Sequence, residues 1–199
     1  MPLGAFKAAL MGTAGVSTAD VVLLSTQTAS DSAALSFTSD ITSTYGEYIF
    51  KFYNINPATD STDFQFQVNA TDDPGGDYDT SLITSTFFLA NHAESDDAPD
   101  FGYSTSLDQA QGAAYQSLNY NLGNAADASL AGELHLFNPS STTYVKHFIA
   151  KTHQMLEADF ATHSFIAGYI NDATAIDDIQ FKMSSGNINA GTIKMWGVK

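Results

Sequence analysis

From about residue 20 onward, apolar side chains recur at every second position, and the segments between these runs are rich in Asp, Asn, Gly, Ser and Thr. A period of two sends successive side chains to opposite sides of an extended chain, so each run has one face for a core and one for water. Asp63-Phe64-Gln65-Phe66-Gln67-Val68-Asn69 alternates without a fault, and Glu133-Leu134-His135-Leu136-Phe137 nearly does. With further runs at 21–24, 34–37, 45–53, 82–89, 144–150, 164–170, 179–183 and 192–198, about ten strands are predicted. Turn residues separate them and helical periodicity is scarce. The expectation is an all-β fold, an antiparallel β-sandwich of jelly-roll type. The exception is the stretch 107–130, rich in Ala, Gln and Asn, which suits either a short helix near 108–118 or a long ordered loop.

With 44% hydrophobic and 12% aromatic residues, the chain can build one sizeable core. No repeat, low-complexity tract or linker divides residues 21–199, which read as one sandwich domain. Cysteine is absent, so neither disulfides nor thiolate metal sites contribute. No run of about 18 apolar residues occurs, so no membrane-spanning helix is expected.

The seven basic residues are all Lys, against 22 acids and a formal charge of −15. Without Arg clusters a nucleic-acid partner is not expected, and an acidic surface repels DNA and anionic lipid alike.

Residues 1–20 differ from the rest. A signal peptide fits poorly, since Lys7 sits inside the apolar stretch rather than ahead of it, and Gly4, Gly12 and Gly15 interrupt a helix. Leu3, Phe6, Leu10 and Met11 instead fall near i, i+3, i+7 and i+8, one stripe of a short helix that needs a partner surface. That surface is either the chain's own body or a larger assembly, and the segment reads as a short N-terminal docking segment.

Chemistry has few places to reside. Asp72, Asp73, Asp77 and Asp79 crowd one loop with the oxygen donors that calcium takes, yet Pro74-Gly75-Gly76 between them is equally what a hairpin turn requires. Asp96, Asp97 and Asp100 form a second such loop, read the same way. No cofactor is expected. His92, His135, His147, His153 and His163 are the only general bases near neutral pH, and none shows HxH or HExxH spacing for zinc. His135, on the face opposite Leu134 and Leu136, should point to water or to a neighbouring protomer. Glu47 and Glu133 sit on predicted strands, and paired carboxylates on a sandwich face can run glycoside hydrolysis. No GxSxG elbow or Walker loop is present, so the expectation is a chain without enzymatic activity. Tyr103, Tyr115 and Tyr120 are candidate ligand contacts, because exposed Tyr among Asp and Asn suits sugar or protein surfaces. Asn69-Ala70-Thr71 is a lone glycosylation sequon.

The C-terminal run Phe181-Lys182-Met183-Ser184-Ser185-Gly186-Asn187-Ile188-Asn189-Ala190-Gly191-Thr192-Ile193-Lys194-Met195-Trp196-Gly197-Val198-Lys199 resembles the closing hairpin of virion structural proteins from tailed bacteriophages, particularly of marine hosts. Tyr48-Ile49-Phe50-Lys51-Phe52, His135-Leu136-Phe137-Asn138-Pro139-Ser140-Ser141 and the small-residue N-terminus fit the same likeness. The likeness is one of strand and turn residues and carries no catalytic motif.

The resemblance implies a β-sandwich on the virion surface, commonly a homotrimer, bound to capsid or tail proteins in a decoration or tail-fibre role. No heptad shaft is present for a long fibre, which favours a compact module. Two alternatives stand beside it: a tail-fibre adhesin that binds host carbohydrate, and a glycoside-cleaving β-sandwich enzyme.

Overall fold

The computed structural model describes residues 20–73, 78, 80–96 and 99–199. Every regular element among them is a strand. In chain order these are β1 (Val21–Ser32), β2 (Leu35–Phe37), β3 (Glu47–Pro57), β4 (Phe64–Ala70), β5 (Ile83–Ala93), β6 (Asp100–Tyr103), β7 (Ala110–Gly112), β8 (Gln116–Ser117), β9 (Leu130–Phe137), β10 (Lys146–Met155), β11 (Phe160–Ile170), β12 (Ile176–Met183) and β13 (Ile188–Val198). A nine-stranded sheet has the order β1-β13-β3-β9-β10-β11-β5-β6, with β7 also on β5, and a four-stranded sheet has the order β2-β12-β4-β8. All pairings are antiparallel. The chain changes sheet at each connection from β1 to β5, twice from β7 through β8 to β9, and twice more from β11 through β12 to β13.

The sandwich-like arrangement follows from the alternation. Along β3, Tyr48, Phe50 and Phe52 are buried, as are Leu134 and Leu136 of β9 and Ile193 and Met195 of β13. The small sheet answers with Phe64, Phe66, Val68, Ile179 and Phe181, all fully buried. Phe181 is the hub of this layer, with ring centroids 5.4 Å from Phe50 and Phe52 and 5.7 Å from Phe64. Edge-to-face and offset contacts of this kind add about 0.5–1.5 kcal/mol each beyond the area buried.

Beyond β9 the large sheet continues through β10, β11 and β5. The inner face of this extension is more polar, carrying Thr152, Gln154, Thr162 and Ser164. The stretch 107–130 covers it, and of the two expected forms the long ordered loop is the one found, interrupted by the short strands β7 and β8, with no helix. Its amide side chains bond backbone instead of leaving the backbone free to coil. Gln116 Nε2 donates to the carbonyls of Leu107 and Ser117, and Asn119 Oδ1 accepts from the Phe64 amide. The large sheet reaches back in turn, with Thr152 Oγ1 donating to the Leu118 carbonyl and Gln154 Nε2 to that of Tyr120. Local side-chain bonds of this sort compete with helix formation. At Gly168 a Cβ would lie 2.5 Å from the Thr84 carbonyl and 2.8 Å from the Phe148 ring, so glycine lets that ring settle onto the sheet.

Candidate functional site: the outer face of the large sheet

Pairing register fixes which side chains share the outward face of the nine-stranded sheet. One row across it runs Leu23, Trp196, Ile49, His135, Ile149, Ala167 and Thr86; the next runs Lys194, Lys51, Glu133, Lys151, Phe165, Phe88 and Tyr103. All five His lie on this face: His135 on β9, His147 and His153 on β10, His163 on β11 and His92 on β5. Alternation along each strand was legible beforehand. That five separate positions converge on one face was not, because it depends on register between strands far apart in sequence.

A polar chain crosses the middle. Glu47 Oε1 lies 2.5 Å from His135 Nδ1, Glu133 Oε1 lies 3.4 Å from His135 Nε2, and Glu133 Oε2 lies 3.6 Å from Lys51 Nζ. The two carboxylates weighed as a hydrolytic pair therefore do share a sheet face, with one imidazole between them. A shallow recess of about 170 Å³ beside them is lined by Glu133, His135, Phe137, Ile149 and Lys151. It is smaller than the 300–1,000 Å³ usual for small-molecule sites, whereas an open recess of about 300 Å³ beside Lys51, Glu133 and Lys151 and one of about 790 Å³ beside Phe137 and His147 reach that range.

To one side sits an aromatic cluster. Phe88 stacks on Phe165 at 5.2 Å and meets Phe101 edge-on at 5.6 Å, while the His163 ring lies 4.3 Å from Phe165. Of the nine large hydrophobic residues exposed among the described residues, six belong to this face: Val21, Leu23, Tyr53, Phe101, Tyr103 and Ile149. Ile149 is 45% exposed although its strand lies well inside the sheet. The six are spread across the face, from Val21 and Leu23 on the β1 edge through Tyr53 and Ile149 to Phe101 and Tyr103 on the β6 edge.

The charge distribution agrees. Lys51, Lys151 and Lys194 project from this face against Glu47 and Glu133, and among the described residues no Asp occupies a strand position on it. In a chain of formal charge −15 the described strand positions of this face thus carry three Lys against two Glu.

The remaining candidates are dispersed. Tyr103, on this face, donates its hydroxyl to Asp108 Oδ2 at 2.6 Å, and that bond raises its pKa. Tyr115 belongs to the other layer, where it donates to Gln180 Oε1 at 2.6 Å and lies 4.1 Å beneath Lys182 Nζ. Tyr120 is 38% exposed beyond β8. In the acidic loop, Asp72 Oδ2 accepts from Thr174 Oγ1 at 3.0 Å and Asp73 Oδ2 from Thr80 Oγ1 at 2.5 Å. Asp77, Asp79 and Asp97 lie outside the described residues, as do Leu3, Phe6, Leu10 and Met11 of the expected docking segment.

Sequence reasoning missed Lys146. It is fully buried, and its ammonium donates to the carbonyls of Asp172, at 3.0 Å, and Thr174. Burial pulls its pKa down, opposed by the charges of Asp172 and Asp72. A lysine opening an alternating strand gives no local sign of such an environment.

Compared with known protein families, curated proteins and solved structures, the chain matches none.

Proposed function

We propose that this chain is a non-enzymatic structural module of a tailed-phage virion surface, a jelly-roll sandwich in a decoration or short-fibre role. In this reading residues 1–20, through Leu3, Phe6, Leu10 and Met11, attach it to capsid or tail proteins, and the working unit is a homotrimer. The observation that carries the reading is the outer face just described: broad, carrying six of the nine exposed large hydrophobic residues among the described residues, and with Glu47 and Glu133 as the acids at its described strand positions. Such a surface suits protein contacts better than enclosure of a small substrate.

Two further features support it. β1, β13, β3 and β9 lie opposite β2, β12, β4 and β8, which is the order obtained when eight strands wind as two Greek keys; β5, β6, β7, β10 and β11 then extend one layer. The run that carries the resemblance to phage structural proteins spans the end of β12 and β13; the two lie in different sheets, so it crosses between the layers instead of closing a hairpin, and β13 pairs on both sides between β1 and β3.

Cross-linking mass spectrometry on purified particles tests the module reading, with links from the N-terminal segment to a capsid or tail protein as the expected result. Particles that lack the chain would sink it. Deleting residues 1–16 should abolish incorporation and leave a folded body.

A host-carbohydrate adhesin is the second reading, favoured by the 53% exposed ring of Tyr103 with its hydroxyl held beside Asp108. It requires saturable glycan binding that Tyr103→Ala or Tyr115→Ala removes, and a clean glycan array rules it out.

A further inference from the structure

We propose that the outer face of the nine-stranded sheet is covered by a second copy of this chain. The proposal rests on the module reading for its setting and deepens it by naming the partner of that face.

Charge argues for this occupant. Three Lys against two Glu give the face a formal charge of about +1, which leaves −16 for everything else. Two copies that approach through the acid-rich loops of the described body bring acidic groups together. When one copy presents this face, either it meets the acidic remainder of its neighbour, to which it is complementary, or it meets the same face, where Lys51 and Lys151 alternate with Glu133. In neither case does like charge dominate.

Size argues for it too. The six strands β13, β3, β9, β10, β11 and β5, at about 4.8 Å spacing and about 3.3 Å per residue over roughly ten residues, present a footprint of about 950 Å². A stable protein interface needs about 800 Å² from each partner. Composition fits in part: Ile149, Phe165 and Phe88 lie within this footprint, Phe101 extends the aromatic cluster at the β6 edge, and among the described residues no Asp holds a strand position on the face, although Asp108 and Asp96 reach its rim at Tyr103 and His92.

Sedimentation velocity and light scattering on the full chain, from about 1 to 100 μM, test the proposal. The expected result is a mass that is a multiple of 21.2 kDa. Ile149→Asp, at the centre of the face, should weaken association at least tenfold. Tyr120→Asp, an exposed ring elsewhere, should leave it unchanged. Circular dichroism confirms that each variant folds; should Ile149→Asp unfold, Lys151→Asp, at an exposed position of β10 in the neighbouring row, takes its place. A wild-type chain that stays monomeric at 100 μM overturns the proposal. So does association that the folded face variants leave intact, or a face protected only when another virion protein is added. The two readings fail separately: a monomer found in particles sinks this one, and the homotrimer with it, but leaves the virion module standing, whereas an oligomer absent from particles sinks only the module.

Discussion

His153 of β10 stands directly opposite His163 of β11, their ring centroids 6.1 Å apart and their planes at 55°. Partial burial, together with the charges of His153 and Lys151, holds the His163 pKa below the ordinary imidazole value. A folded-state pKa below the unfolded one contributes stability that is present above about pH 6.5 and lost as pH falls through the lower folded value. His163→Phe removes that difference in proton uptake. Its Tm should therefore fall less than that of the wild type between about pH 7 and pH 5. Parallel Tm curves for the two proteins would exclude His163 as the source of acid sensitivity.

Phe181 is the side chain on which the small sheet's packing converges, with five phenylalanine rings around it. Phe181→Ala should cost about 3–5 kcal/mol, because the cavity is bounded by strands of both sheets and cannot collapse easily. Urea unfolding reads this directly. A loss under about 1 kcal/mol would mean that the two layers do not bear on each other as described.

Lys146 has no exposed surface, and its ammonium bonds two backbone carbonyls. Lys146→Met keeps most of the volume but strands both acceptors, so it should destabilise by about 1–3 kcal/mol despite removing a buried charge. Chemical denaturation of the two proteins compares the terms; a more stable variant would show that desolvation of the ammonium outweighs its hydrogen bonds.

Glu133 bridges Lys51 and His135 at side-chain exposures of 36%, 44% and 25%. Exposed pairs of this kind contribute under about 1 kcal/mol. Glu133→Gln should therefore melt close to the wild type, and neither protein should release reducing sugar from polysaccharide. Turnover by the wild type that Glu133→Gln abolishes would replace the structural reading with the hydrolytic one.

All ten alternating runs became strands, because a strict period of two has few other ways to bury its apolar half. β6, β7 and β8 were not legible. They are two to four residues long and, unlike the equally short β2 with its buried Leu35 and Phe37, carry no alternating pair of buried apolar residues; β8 exists because Gln65 and Phe66 of β4 supply its partners. The stretch 107–130 was ambiguous for a related reason. Its Gln and Asn residues favour no local conformation strongly, and their buried partners come from the body of the sandwich.

The candidate site divides along the same line. That His135 faces away from the core could be read from Leu134 and Leu136 on either side. That Glu47 and Glu133 both meet its ring could not, since it requires Glu47 to pair with Phe137 and Lys51 with Glu133. Alternation tells which half of a strand is wet, and the sequence by itself determined that much: strands, two-faced layers and an acidic surface. Only the tertiary structure decided which wet halves adjoin, and so gathered five histidines, three lysines and most of the exposed apolar residues on a single face. The physical reason is that neighbours across a sheet are set by pairing register between distant segments, a long-range choice that no local pattern encodes.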